Sequence, residues 1–252
     1  MTGARYINPY TDFGFKKLFG TPLNKKLLIS FLNSLFEGKE VISDLTYLNG
    51  ENLGNSYGDF YSTFAIQNQG KKGIWDFNLK GVYTVAILDF VFPDNEYPDD
   101  SLRHEVKLVD VDDKHVFYDK LTFLYLEMPK FTKTEDELET MYDKWLFVLH
   151  NLSCLMKRPA ALQEHVFTRL FEQAEIARYS PKERQKYEDS LKVYRDLKNV
   201  IDTAELKGQK KGFEQGSIEE RKKIEKTMKA LHMSLEDISK ATGMSIDELA
   251  GL

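Results

Sequence analysis

Apolar residues recur at three- and four-residue intervals in Leu27, Leu28, Phe31, Leu32, Leu35 and Phe36, which predicts a helix with one buried side. Pro22 stands in its first turn and Gly38 closes it. Ahead of it, Asp12 to Phe19 reads as a shorter helix stopped by Gly20. Val41 to Leu48 reads as a strand, and Asp59 to Gln69 as a helix ended by Gly70 and Gly73. Val82 to Phe92 is apolar on both faces, the pattern of a buried strand. Pro93 to Asp100 is an acidic turn. Arg103–Val111 and His115–Met128 alternate about Asp112-Asp113-Lys114, which predicts a hairpin, and Pro129 ends it.

Helical spacing takes over after Thr134. Thr134 and Glu137 form a capping-box pattern, followed by Leu138, Met141, Tyr142, Trp145, Leu146, Leu149, Leu152 and Leu155. Pro159 breaks this run. Ala161 to Arg178 reads as a second helix. Ser180-Pro181-Lys182-Glu183 starts a third, striped by Leu191, Tyr194, Leu197, Ile201 and Ala204. Helices, then strands, then helices predict an α/β core with a helical C-terminal half. From Leu206 the composition changes: Gly208, Gly212 and Gly216 recur among Lys, Gln and Glu, and each costs a helix about 1 kcal/mol relative to Ala. That predicts a marginal helix or a hinge. The expected division is therefore 1–205 for the main domain and 206–252 for a Gly-spaced tail.

Composition narrows the function classes. The chain has 252 residues, 42% of them hydrophobic, enough for one sizeable core with appendages. Its net charge of −5 argues against a dominant phosphate-binding surface. The single cysteine, Cys154, forms no intrachain disulfide and suits a reducing compartment. Among Leu152, Leu155 and Met156 it reads as a core residue. The opening Met-Thr-Gly-Ala-Arg shows no signal-peptide core, and the longest apolar run is too short to span a bilayer. A cytoplasmic protein without a membrane partner is expected. Phosphate-binding and nucleophile-elbow glycine motifs are missing.

Two stretches carry a resemblance. Arg5-Tyr-Ile-Asn-Pro-Tyr-Thr-Asp-Phe-Gly-Phe-Lys-Lys-Leu-Phe-Gly20, and the run from Tyr118 through Glu127-Met128-Pro129-Lys130-Phe131, resemble the PD-(D/E)XK nuclease family of bacterial transposases and recombination-promoting nucleases. The resemblance implies a restriction-endonuclease-like α/β core, DNA as partner, and Mg²⁺ held by an Asp on one strand and a Glu-x-Gln on the next. In the family these lie between the equivalents of Leu53 and Tyr57. Here the chain runs Asn52-Leu-Gly-Asn-Ser-Tyr-Gly-Asp-Phe60, and Leu53 to Tyr57 contains neither. The expectation is a core truncated in its central sheet, with no catalytic, cofactor-binding or metal residue to assign and no ligand set for Mg²⁺. Edges exposed by such a loss favour a homo-oligomer.

Remnant candidates exist. Asp89 precedes Glu105-Val106-Lys107 by a plausible spacing, and residues 105 and 107 share a strand face. Against that stands a plain solvated hairpin face. Asp12 reads either as an outer helper of a metal site or as a helix-start carboxylate. Lys207–Lys211 and Arg221–Lys229 are basic but interleaved with Glu. Ser234 to Leu249 has helix-turn-helix cadence, yet its second helix is acidic, which favours a helical cap over a DNA reader. The leading expectation is a catalytically impaired member of the nuclease family. The alternatives are a working Mg²⁺ endonuclease using remnant carboxylates, and a non-enzymatic DNA-binding or protein-interaction protein acting through its helical tail.

Overall fold

The computed structural model describes residues 3–47, 80–92 and 101–250. It divides into two compact units, residues 1–191 and 192–252.

In the first unit, α1 (Asp12–Phe19) is set by its cap. Thr11 Oγ1 accepts from the Gly14 N–H at 3.0 Å and donates to the Asn8 carbonyl at 2.8 Å. Gly14 is required there: a Cβ would lie 2.1 Å from the Asn8 oxygen. Helix α2 (Lys25–Phe36) follows a 3₁₀ turn at Pro22–Asn24 and ends where Glu37 and Gly38 adopt left-handed conformations. Helix α3 (Met141–Asn151) is opened by the Thr140–Asp143 capping box. The predicted box at Thr134 forms too, but it caps only the 3₁₀ turn Glu135–Glu137, so the long helix expected from there is broken before Met141. Helix α4 spans His165–Ala174, shorter than expected. The core gathers on Trp145, which is 0% exposed. Its ring lies 5.9, 5.6 and 5.1 Å from those of Phe19, Phe31 and Phe167, and its Nε1–H donates to Ser30 Oγ at 3.1 Å.

Strands β1 (Val82–Leu88), β2 (Arg103–Val109) and β3 (Val116–Glu127) form a sheet of order β1-β3-β2. The β2–β3 hairpin is antiparallel, as predicted, and β1 runs parallel to β3. Two expectations need correction. Val82–Phe92 is not the buried strand: β1 stops at Leu88, is half-buried, and is an edge among the described strands, while the centre is β3. β3 holds both pairings, and its apolar residues Leu121, Leu124 and Leu126 are buried. Val41–Tyr47 forms no strand. The Asn33 amide instead accepts from Ile42 N–H at 2.8 Å and donates to its carbonyl at 3.0 Å, satisfying that backbone without a ladder. Phe15, on α1, is 41% exposed. The helix expected at 59–69, the turn at 93–100 and the strands expected to be missing near 53–57 lie outside the described residues. The class is mixed α/β, as expected.

Helix α5 (Pro181–Ala230) is 50 residues long. Its first turns belong to the first unit: Tyr187 Oη accepts from Asn8 N–H at 2.9 Å, and Ser190 Oγ accepts from Phe13 N–H at 3.1 Å. Tyr187 and Leu191 are buried. In the second unit α5 continues unbroken through Gly208, Gly212 and Gly216, where a hinge was one expectation. It is followed by α6 (Leu235–Thr242) and α7 (Ile246–Ala250), joined at Gly243 in a left-handed turn. Ile238 and Leu249 are buried, and Ser245 and Glu248 form a capping box at the start of α7.

Candidate functional site

The sheet face that carries Glu105 and Lys107 also carries their cross-strand neighbours Leu124 and Thr122, with Val85 and Tyr83 beyond. Next to the C-terminal end of α2 this face forms a polar groove of about 320 Å³, lined by Lys39, Glu40, Tyr83, Arg103, Glu105 and Lys107 among others. Glu105 is its centre. Lys39 Nζ at 3.4 Å, Arg103 Nη2 at 3.2 Å and Lys107 Nζ at 3.5 Å surround the carboxylate. Burial pushes the Glu105 pKa up, but the three cations outweigh it and hold the group below its ordinary value. Tyr83 Oη donates to Glu40 Oε1 at 3.2 Å. Near-balanced charge of this kind knits α2 to the sheet and attracts phosphate weakly.

A second polar cluster was not anticipated. Glu127, 1% exposed, ends β3. His104 Nε2 lies 2.6 Å from its Oε1, while its Oε2 meets Lys130 Nζ at 3.3 Å and accepts from Phe92 N–H at 3.1 Å. Both oxygens of this deeply buried acid therefore have polar partners, as burial of such a group requires. The sequence signal was a lone acid inside the apolar run Leu124-Tyr125-Leu126-Glu127-Met128.

The remnant pair is not assembled. Val85 is level with Glu105 across β3, two strand spacings or roughly 10 Å away. Asp89 lies past the end of β1, four residues beyond Val85. Mg²⁺ ligands sit about 2.1 Å from the ion, so these two carboxylates do not share one. Asp12 falls in the first turn of α1 and pairs with Lys16 at 2.8 Å on an exposed face, the helix-start role. It borders an apolar cavity of about 500 Å³ among Phe15, Phe31 and Val85. Cys154 is exposed, not in the core, because α3 ends at Asn151 and a 3₁₀ turn rotates it outward. The basic segments 207–211 and 221–229 lie along α5 with acids between them, and Lys229 pairs with Glu225 at 2.7 Å. Residues 192–252 carry twelve Lys and Arg against eleven Asp and Glu. Helix α7, five residues long with Asp247 and Glu248 in its first turn, is too short and acidic to read a major groove.

Among the described residues, no three His, Cys, Asp or Glu side chains converge as a metal site requires. Glu105 and Glu127 are both committed to cations, so the donor set seen here does not fit a divalent ion. No described helix is long and apolar enough to cross a membrane. The family model of the PD-(D/E)XK nuclease family transposases matches residues 9–60 and 58–204. No curated protein and no solved structure matches.

Proposed function

Because this chain belongs to the PD-(D/E)XK nuclease family transposases, we propose that it is a DNA-associated member that has lost strand cleavage. Membership implies DNA as the substrate class and a divalent metal as the usual cofactor. The observation that carries the loss is the stretch Leu53 to Tyr57, which has no Asp and Glu-x-Gln where the family keeps its metal ligands. The carboxylates of the described sheet offer no replacement, since Lys39, Arg103 and Lys107 occupy Glu105, and His104 and Lys130 occupy Glu127. Without carboxylates free to hold a hard cation, neither an activated water nor leaving-group stabilisation is available. In this reading the central sheet is truncated, and the protein stands beside the cleavage step of DNA recombination, not in it.

The test incubates purified protein with supercoiled plasmid and Mg²⁺ or Mn²⁺. The expected result is no nicking above an EDTA control. Metal-dependent nicking that Asp89→Ala or Glu105→Ala removes overturns the reading. A non-enzymatic role through the tail is the second reading, favoured by the exposed apolar side chains Val193, Leu197 and Val200 of α5.

A further inference from the structure

The stretch from Arg5 to Gly20, one of the two that carry the family resemblance, does not line the polar groove around Glu105. What it meets is the start of α5. Glu183, Tyr187 and Ser190 stand four and three residues apart, so they share one side of that helix. Each is engaged from the N-terminal segment. Lys17 Nζ donates to Glu183 Oε1 at 2.7 Å, Asn8 N–H donates to Tyr187 Oη at 2.9 Å, and Phe13 N–H donates to Ser190 Oγ at 3.1 Å. The Phe13 ring packs against those of Tyr179 and Tyr187, with 5.8 and 6.0 Å between centroids. The support is reciprocal. Phe13 N–H belongs to the first turn of α1, where a helix offers no acceptor of its own, and a serine 177 residues further along the chain supplies one. Glu183 accepts from the Ser180 N–H at the opening of α5, and Lys17 in the last turn of α1 holds that carboxylate. Each helix completes an end of the other.

We propose that the first turns of α5 are a latch on the segment Asn8–Lys17, and that the two open and close as one unit. The segment is anchored on both sides, because Ile7 and Leu18 are buried, while its middle is half-buried and depends on α5. A stretch held by a few polar contacts between two fixed points opens locally, ahead of the core. Pro9, Thr11 and Phe15 from this segment line the apolar cavity together with Leu28 and Val85, so the latch sets one wall of that cavity. Helix α5 runs on unbroken past Leu191, so a change that unwinds its first turns is passed to α1 and to the cavity wall. This device does not depend on whether the protein cleaves DNA.

The test is amide hydrogen exchange by NMR on the full chain, read at groups that make no direct bond across the latch. Gly14 and Phe15 N–H bond to Thr11 within the segment, and Arg184 N–H bonds to the Ser180 carbonyl within α5. Ser190→Ala removes one acceptor from α5 and is expected to speed exchange at Gly14 and Phe15 about tenfold, the effect of losing one hydrogen bond. Lys17→Met removes one donor from α1 and is expected to speed exchange at Arg184 by about the same factor. The α3 amides around Trp145 are expected to keep their rates in both variants, which separates a latch from a general loss of stability. Gly14 and Phe15 unchanged in Ser190→Ala, Arg184 unchanged in Lys17→Met, or an equal rise across α3 overturns the proposal.

Discussion

At the scale of single residues, two side chains carry most of the information about stability in the first unit. Trp145 is fully buried among three phenylalanine rings and donates to Ser30, so Trp145→Ala leaves a cavity and an unsatisfied hydroxyl environment. A loss of about 3–5 kcal/mol is expected in denaturant unfolding. An unchanged midpoint would remove Trp145 from the core. Glu183 behaves differently, because it is charged and partly exposed. Its carboxylate accepts from Lys17 Nζ at 2.7 Å and from the Ser180 N–H and hydroxyl, and these hold its pKa down at about 2. An unfolded Glu titrates near 4.3, roughly two units higher. The folded state therefore binds fewer protons between those values, and the stabilisation present above pH ~4.3 is lost as pH falls toward ~2. Glu183→Gln should flatten that part of the acid limb in a stability-versus-pH series and leave its slope above pH 6 alone. An identical acid limb in the variant would show that the Lys17–Glu183–Ser180 contacts are not maintained in solution.

Among the elements, α5 contains the clearest conflict between local preference and observed structure. Three helix-interior glycines weaken it, yet it runs without a break from Pro181 to Ala230. A Cβ at Gly216 meets nothing within 4 Å. Gly216→Ala should raise the stability of this helix by about 0.5–1 kcal/mol. A higher thermal midpoint of the helical circular-dichroism signal checks it, and a lower one would mean that position 216 needs a glycine for a contact outside the chain. The sheet shows the opposite case. Its most apolar stretch, Val82–Leu88, is an edge among the described strands, and the more polar β3 is central because only β3 pairs on both sides.

For the molecule as a whole, the two compact units meet at Leu191 and Lys192, inside a continuous helix. Tyr187 and Leu191 bury apolar surface in the first unit, whereas the lysine-rich turns between Lys207 and Lys229 are exposed. Limited trypsin digestion should cut first between Lys207 and Lys229 and leave a stable fragment that retains Leu191. If that stretch is protected, or the remaining fragment unfolds, the second unit supports the first and the two are not separable. This measurement is independent of the plasmid test, which asks only whether any metal-dependent cleavage survives.

Much of this molecule was legible in its sequence because the signals are local. The cap at Ser180, the stop at Gly20, the Asp112-Asp113-Lys114 hairpin and the apolar stripe from Leu191 to Ala204 depend on neighbours a few residues away. The two stretches that carry the family resemblance were equally readable, as was the absence of Asp and Glu-x-Gln between Leu53 and Tyr57. What periodicity could not decide was which apolar segment would be central, because burial of a strand depends on how many partners it finds. It could not show that Val41–Tyr47 would be held by Asn33 in place of a ladder. Nor could it show that Glu127 would be buried against His104 and Lys130 while Asp89 and Glu105 stayed apart. Those outcomes rest on contacts between residues distant in sequence, and only the packed tertiary structure brings such groups together or separates them.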